Sequence, residues 1–172
     1  MDHEIVNCFC ADLLRFSGKS ICWGIAAGTG TGSMATLYFG GKRPRARPLK
    51  NLRLSEEVRK YEGEYCLYLE DCDWRIQTRD EVIASSVSSN KEGGAMLLAL
   101  ESLVGESVVN AKVDKVSFDL RIRFGNGAEL MVFCFGKSDE ELDNYTFYLE
   151  ECHYVSRFDG CLEKGKAEGV DV

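Results

Sequence analysis

Histidine is nearly absent: the 172 residues hold two, His3 and His153. A zinc set would have to be completed by cysteines, and although there are eight, no two stand at the C-x-x-C spacing. No metal and no cofactor is expected. Long apolar runs are missing too. Leu130 to Phe135 is a typical one, far short of the roughly 20 residues of a membrane-spanning helix. The opening Met1-Asp2-His3-Glu4 is acidic where a secretory signal is basic, and no apolar stretch follows. These absences predict a soluble, cytoplasmic chain without membrane contact, its thiols reduced and packed as small hydrophobes.

What is present is ordinary in bulk. Apolar residues make up 45% and charged residues 28%, the composition of a globular protein, not of a disordered one. The formal charge is −7, and it is unevenly spread. Residues 1–86 carry twelve side chains of each sign, whereas 87–172 carry nine basic and sixteen acidic. An acidic half favours cationic partners, and nucleic acid is not expected as a ligand.

The most specific signal is internal similarity. Tyr65-Cys66-Leu67-Tyr68-Leu69-Glu70-Asp71-Cys72-Asp73-Trp74 returns as Tyr145-Thr146-Phe147-Tyr148-Leu149-Glu150-Glu151-Cys152-His153-Tyr154. Earlier, Leu14 to Ile21 corresponds to Glu101 to Val108, and Leu37 to Gly41 corresponds to Ile122 to Asn126. The offset falls from 87 to 85 to 80, as it would if loops differed while elements persisted. Two copies predict a pseudo-symmetric pair, not a solenoid.

Each copy reads as a helix followed by strands. Cys8 to Phe16 and Ala95 to Leu103 have helical spacing, and Gly18 and Gly105 stand where a helix end needs a residue tolerant of positive φ. Phe118 to Phe124 alternates strictly, Gly125-Asn126-Gly127 is a hairpin turn, and Ala128 to Phe135 is apolar enough for a strand buried on both faces. The expected fold is α+β: one domain over 1–160, built from two pseudo-symmetric repeats (about 5–80 and 92–158). Each repeat has one helix and about four mainly antiparallel strands, and a flexible tail runs from 161 to 172.

Motifs of chemistry are scarce. Ser17-Gly18-Lys19-Ser20 ends like a phosphate-binding loop, but Leu13 stands where that loop needs its first glycine, and the second copy has Glu106 in place of the lysine. Gly28-Thr29-Gly30-Thr31-Gly32-Ser33 lacks dinucleotide spacing and reads as a flexible hairpin loop. Lys42 to Arg53 holds six cations and no acid, with both prolines of the protein inside it. It reads as a solvated loop, and Lys42, Arg43, Arg45 and Arg47 are the alternative candidates for anion binding. Cys152 and His153 are adjacent, so a strand would turn them to opposite faces. No catalytic residue is assigned, and an enzyme is the less favoured reading.

The segment from Leu103 through Gly105-Glu106-Ser107, Phe118-Asp119-Leu120-Arg121-Ile122-Arg123-Phe124 and Gly125-Asn126-Gly127 to Phe133 resembles a pattern in small bacterial β-rich proteins of immunity or uncharacterised type. It covers about 35 residues and carries over no functional residue. The resemblance implies a non-catalytic protein that binds another protein, such as a cationic toxin domain. The acidic residues Asp139, Glu140, Glu141, Asp143, Glu150 and Glu151 are the candidate contact surface. The alternative is a small-ligand binder or enzyme with its site between the two repeats.

Overall fold

A computed structural model describes residues 3–136 and 141–166. The chain opens with helix α1 (His3–Phe16), whose Val6, Phe9, Leu13 and Phe16 recur every three or four residues and form one buried stripe. Gly18, at φ +76°, turns the chain out of the helix, and Gly105, at φ +91°, does the same after the third one. Strands β1 (Cys22–Ala26) and β2 (Ala35–Pro44) follow, then the short α2 (Glu56–Lys60) and strands β3 (Tyr61–Leu69), β4 (Asp73–Gln77) and β5 (Val82–Ser85). The rest is α3 (Ala95–Glu101), β6 (Val108–Val113), β7 (Leu120–Phe124), β8 (Glu129–Phe133), β9 (Asp143–Tyr148), β10 (Cys152–Arg157) and β11 (Leu162–Lys166).

The fold is α+β, with two antiparallel sheets and few helices. One sheet has six strands in the order β1-β2-β3-β9-β10-β11, the other five in the order β5-β4-β8-β7-β6. Each therefore begins with three consecutive strands and is completed by strands from the other half of the chain. Where β1 and β6 begin, the sheets touch: Ile21 bridges Ser107, and the Val108 amide donates to the Ser20 carbonyl at 2.8 Å. Between them lies one core, with Leu37, Phe39, Leu67 and Phe147 from the larger sheet and Trp74, Ile76, Ile122, Leu130 and Val132 from the smaller. Helix α1 enters the same core. Phe9 stacks on Tyr154 at 4.4 Å between centroids, and Phe16 meets Phe39 and Phe147 edge-on at 5.1 and 5.2 Å. A second small cluster of Tyr38, Val58 and Cys66 sits on the outer face of the larger sheet, packed against Trp23, Leu54 and Tyr148.

Four sequence expectations need correction. The helices are followed by five and six strands, not about four, because α2 and the extra edge strands were not visible as periodic apolar runs. The similar segments at Tyr65 and Tyr145 correspond only in part: β3 and β9 lie side by side and antiparallel, with Leu67 opposite Phe147, but the strands that follow diverge, β4 joining the smaller sheet and β10 the larger. β8 is buried on one face only: Leu130 and Val132 are covered, while Glu129, Met131 and Phe133 are half-exposed. Finally, Leu162–Lys166 is an edge strand paired along β10, anchored by buried Leu162 opposite Ser156, not part of a flexible tail. Residues 167–172 lie outside the described residues.

Candidate functional site

A groove of about 600 Å³ opens at one end of the larger sheet. It continues the core outward. The strand rows that bury Leu67, Phe147 and Tyr154 are prolonged by Tyr65, Leu149, Cys152, Lys164 and Lys166, which line the groove instead of filling it. Asp12 and Arg15 of α1 form the opposite wall, and the β9–β10 turn, Glu150-Glu151, stands at its end. Tyr65 comes from the first half of the chain and Leu149 to Lys166 from the second, so the two halves meet here.

Asp12 is the one buried carboxylate among the described residues, 7% exposed. Its Oδ2 accepts a hydrogen bond from the Tyr154 hydroxyl at 2.6 Å, and its Oδ1 pairs with the Arg15 guanidinium. This arrangement answers the cost of desolvating a charge. Burial, reinforced by the bond to Asp12, holds the Tyr154 phenol well above its ordinary range. The Asp12 hydrogen bond in turn raises Arg15. Lys164 lies over the Tyr154 ring, 5.1–5.3 Å being the range of such contacts in this protein and 5.3 Å the distance here. Burial raises the Cys152 thiol more than nearby Lys164 lowers it, so it is held as a thiol and not as a nucleophilic thiolate. His153 is on the other face, its ring 5.6 Å from Tyr148 and close against Gly165. No proton relay joins it to Cys152.

Of the six acidic candidates, Asp139 and Glu140 lie outside the described residues, and the other four are divided between the two ends of β9. Glu141 and Asp143 stand where β9 begins and Glu150 and Glu151 lie past its end, and the strand between spans roughly 17 Å. Asp143 reaches Arg157 at 4.0 Å. Glu150 is held by Arg43 at 3.0 Å while two-thirds exposed, and Glu151 is exposed. At the Asp143 end stands Glu70, whose pairing with Asp71 in sequence reads as an exposed acidic pair and which is half-buried instead. Burial, with Asp143 nearby, pushes Glu70 up to about 7, against a weaker opposing bond from Thr146 at 3.3 Å. Its signal was the Glu70-Asp71 pair, but the facing Asp143 is distant in sequence.

The basic candidates are mostly spoken for. Lys42 pairs with Glu57 and lies over the Trp23 ring at 5.1 Å. Arg43 pairs with Glu150. Arg45 is turned inward, 5% exposed at the side chain, its Nε donating to the Tyr61 carbonyl at 3.0 Å and its guanidinium over Tyr38 at 5.3 Å. It ties the loop to α2 and β3, so it is not available to an anion. Arg47 is exposed. The run is therefore part strand and part braced loop.

Neither glycine motif forms a phosphate cradle. The Ser17 hydroxyl accepts from the Ala111 amide at 2.8 Å, and the Gly18 amide donates to the Val108 carbonyl at 2.7 Å, so the turn is used to join α1 to β6. The Gly28 to Ser33 loop connects β1 and β2, as read from the sequence, but it is pinned. Asn90 donates to the Gly28 and Gly32 carbonyls, and the Trp74 indole donates to the Ser33 carbonyl at 2.8 Å. Among the described residues no helix is long and apolar enough to cross a membrane, and no three or more His, Cys, Asp or Glu side chains are grouped to hold a metal. No protein-family model matches the chain, and no curated protein or solved structure matches it significantly.

Proposed function

We propose that this chain is a non-catalytic binding protein, and that it takes a cationic protein partner at the Glu150-Glu151 end of the groove. One observation carries the reading: two exposed carboxylates on one turn, Glu150 and Glu151, stand at the end of a groove whose one buried carboxylate, Asp12, is already bound to Arg15 and to the Tyr154 hydroxyl. Groups tied in this way hold a shape and are not poised to exchange protons with a substrate. An immunity-type role, occluding a basic toxin domain, is the form of this function that the acidic second half favours. A small-ligand reading is supported by the groove's volume, which falls in the range of ligand sites, and by its position where the two halves meet.

The same reading includes descent from a duplicated unit. It is supported by the parallel order of the halves, each a helix with a glycine turn, three consecutive strands and a hand-over to the other sheet. The matching segments Leu37–Gly41 and Ile122–Asn126 lie within β2 and at the end of β7 with the turn that follows it.

Capture of a partner from the native host, followed by association kinetics, tests the function. Glu150→Gln with Glu151→Gln should slow association at low salt by about tenfold, and Glu141→Gln with Asp143→Asn should leave it near the original rate. An unchanged rate for the first pair, or a loss confined to the second, overturns the assignment.

A further inference from the structure

The outer face of the five-stranded sheet carries a pattern of charge that is complementary to itself. Strand register aligns its outward side chains in rows. One row runs Arg75, Met131, Arg121, Lys112 across β4, β8, β7 and β6. The next runs Asp73 and Phe133, and continues through Asp119 and Asp114: the Cys134 amide donates to the Asp119 carboxylate at 2.8 Å, and the Asp114 amide donates to the Asp119 carbonyl at 2.9 Å. All eight are exposed or half-exposed. A row of three cations about one apolar side chain thus lies beside a row of three acids about another. Among the described residues none of Arg75, Arg121 and Lys112 makes an ion pair. Lys112 and Arg121 stand directly opposite each other, an arrangement that costs energy when nothing answers it.

We infer that this face binds a second copy of itself. A two-fold axis parallel to the sheet, perpendicular to its strands and lying between the two rows, turns one face onto the other. It lays each cationic row on the second copy's acidic row. Arg75 then meets the second copy's Asp73, Arg121 its Asp119, Lys112 its Asp114, and Met131 its Phe133, every contact occurring twice. The order of the rows is what selects this occupant. A simple polyanion would answer the cations and be repelled by the acids one residue-pair away. The face is small. Five strands at about 4.8 Å and three outward positions per strand give on the order of 400 Å² per copy, about half of a standard interface, so the dimer is a weak one.

Sedimentation velocity from about 10 µM to about 1 mM, in low and in high salt, tests this. The expected result is a monomer–dimer equilibrium near 100 µM that weakens as salt screens the rows. Arg75→Asp should weaken it about tenfold or more, and adding Asp73→Arg to that variant should restore it, since the exchange re-pairs the same two positions. Both residues are on the surface, and an unchanged thermal midpoint shows that the fold is intact; if Arg75→Asp lowers it, Arg121→Gln serves in its place. A monomer at every concentration, a dimer indifferent to the reversal, or no rescue by the exchange overturns the inference. So does binding of a labelled ten-residue glutamate peptide or thymidine oligonucleotide that Arg75→Asp abolishes, which would make the face a polyanion site.

Discussion

Asp12 holds two donors at once, and the two matter differently. The bond from Tyr154 is buried and charge-assisted, while Arg15 reaches it from solvent with its side chain 79% exposed. Asp12→Ala leaves the Tyr154 hydroxyl without a partner and should cost about 2–3 kcal/mol, whereas Arg15→Ala, which removes a solvent-exposed partner, should change stability far less. Adding Tyr154→Phe to Asp12→Ala should recover part of the loss, and a double-mutant cycle in denaturant measures the coupling. Glu70 gives a pH signature. Its carboxyl is raised from an ordinary 4.5 to about 7 by burial and then by Asp143. The folded state therefore holds the proton more tightly than the unfolded chain. The stability this contributes is full below pH 4.5 and is lost as pH rises through 7. Because the residue is half-exposed, water screens the effect to on the order of 1 kcal/mol. Unfolding midpoints at pH 5, 6, 7 and 8 should fall in the native protein, and Glu70→Gln should flatten the decline.

At the scale of elements, what is local was legible. The buried stripe of α1, the glycine turns at 18 and 105, the alternation of Leu120, Ile122 and Phe124, and the 125–127 hairpin were all read from neighbouring residues, because each is set by interactions within a few positions. What depends on distant partners was not. Leu162-Glu163-Lys164-Gly165-Lys166 has no strand pattern beyond one apolar residue, and it is a strand only because β10 offers a free edge. Arg45 looked solvated because its acceptors, the Val58 and Tyr61 carbonyls, come 13 and 16 residues later. Of the groove's lining, Glu150 and Glu151 are singled out by the sequence as acidic contact candidates. Asp12, Arg15 and Tyr65 were missed, since nothing local marks them. Ending the chain at Gly160 would test the edge strand. It removes the buried Leu162 side chain, worth about 2 kcal/mol, and a ladder of main-chain bonds. The expected result is a lower thermal midpoint and rapid amide exchange along β10, measured by hydrogen exchange.

For the molecule as a whole, burial decides the chemistry of the thiols. All eight cysteines are unpaired. Burial pushes Cys22, Cys66 and Cys134 up to about 12, far from the thiolate that reacts at neutral pH. A non-reducing preparation should titrate close to eight thiols once denatured, and far fewer while native, with exposed Cys161 the first to react. A denatured count of four or fewer would show that the cysteines pair.

The exchange of strands between the sheets has a consequence for how the chain is made. The first three strands close against β9, which begins at Asp143, so the first sheet waits for a segment synthesised about 80 residues after its own β3. During that interval one edge of β3 and the apolar face behind it have nothing to pair with, and non-local pairing of this kind is slow. Neither half is a smaller protein in its own right. Cut in the loop between β5 and α3, each piece would carry an unfinished sheet whose missing strands belong to the other, and the two should recover structure only when mixed.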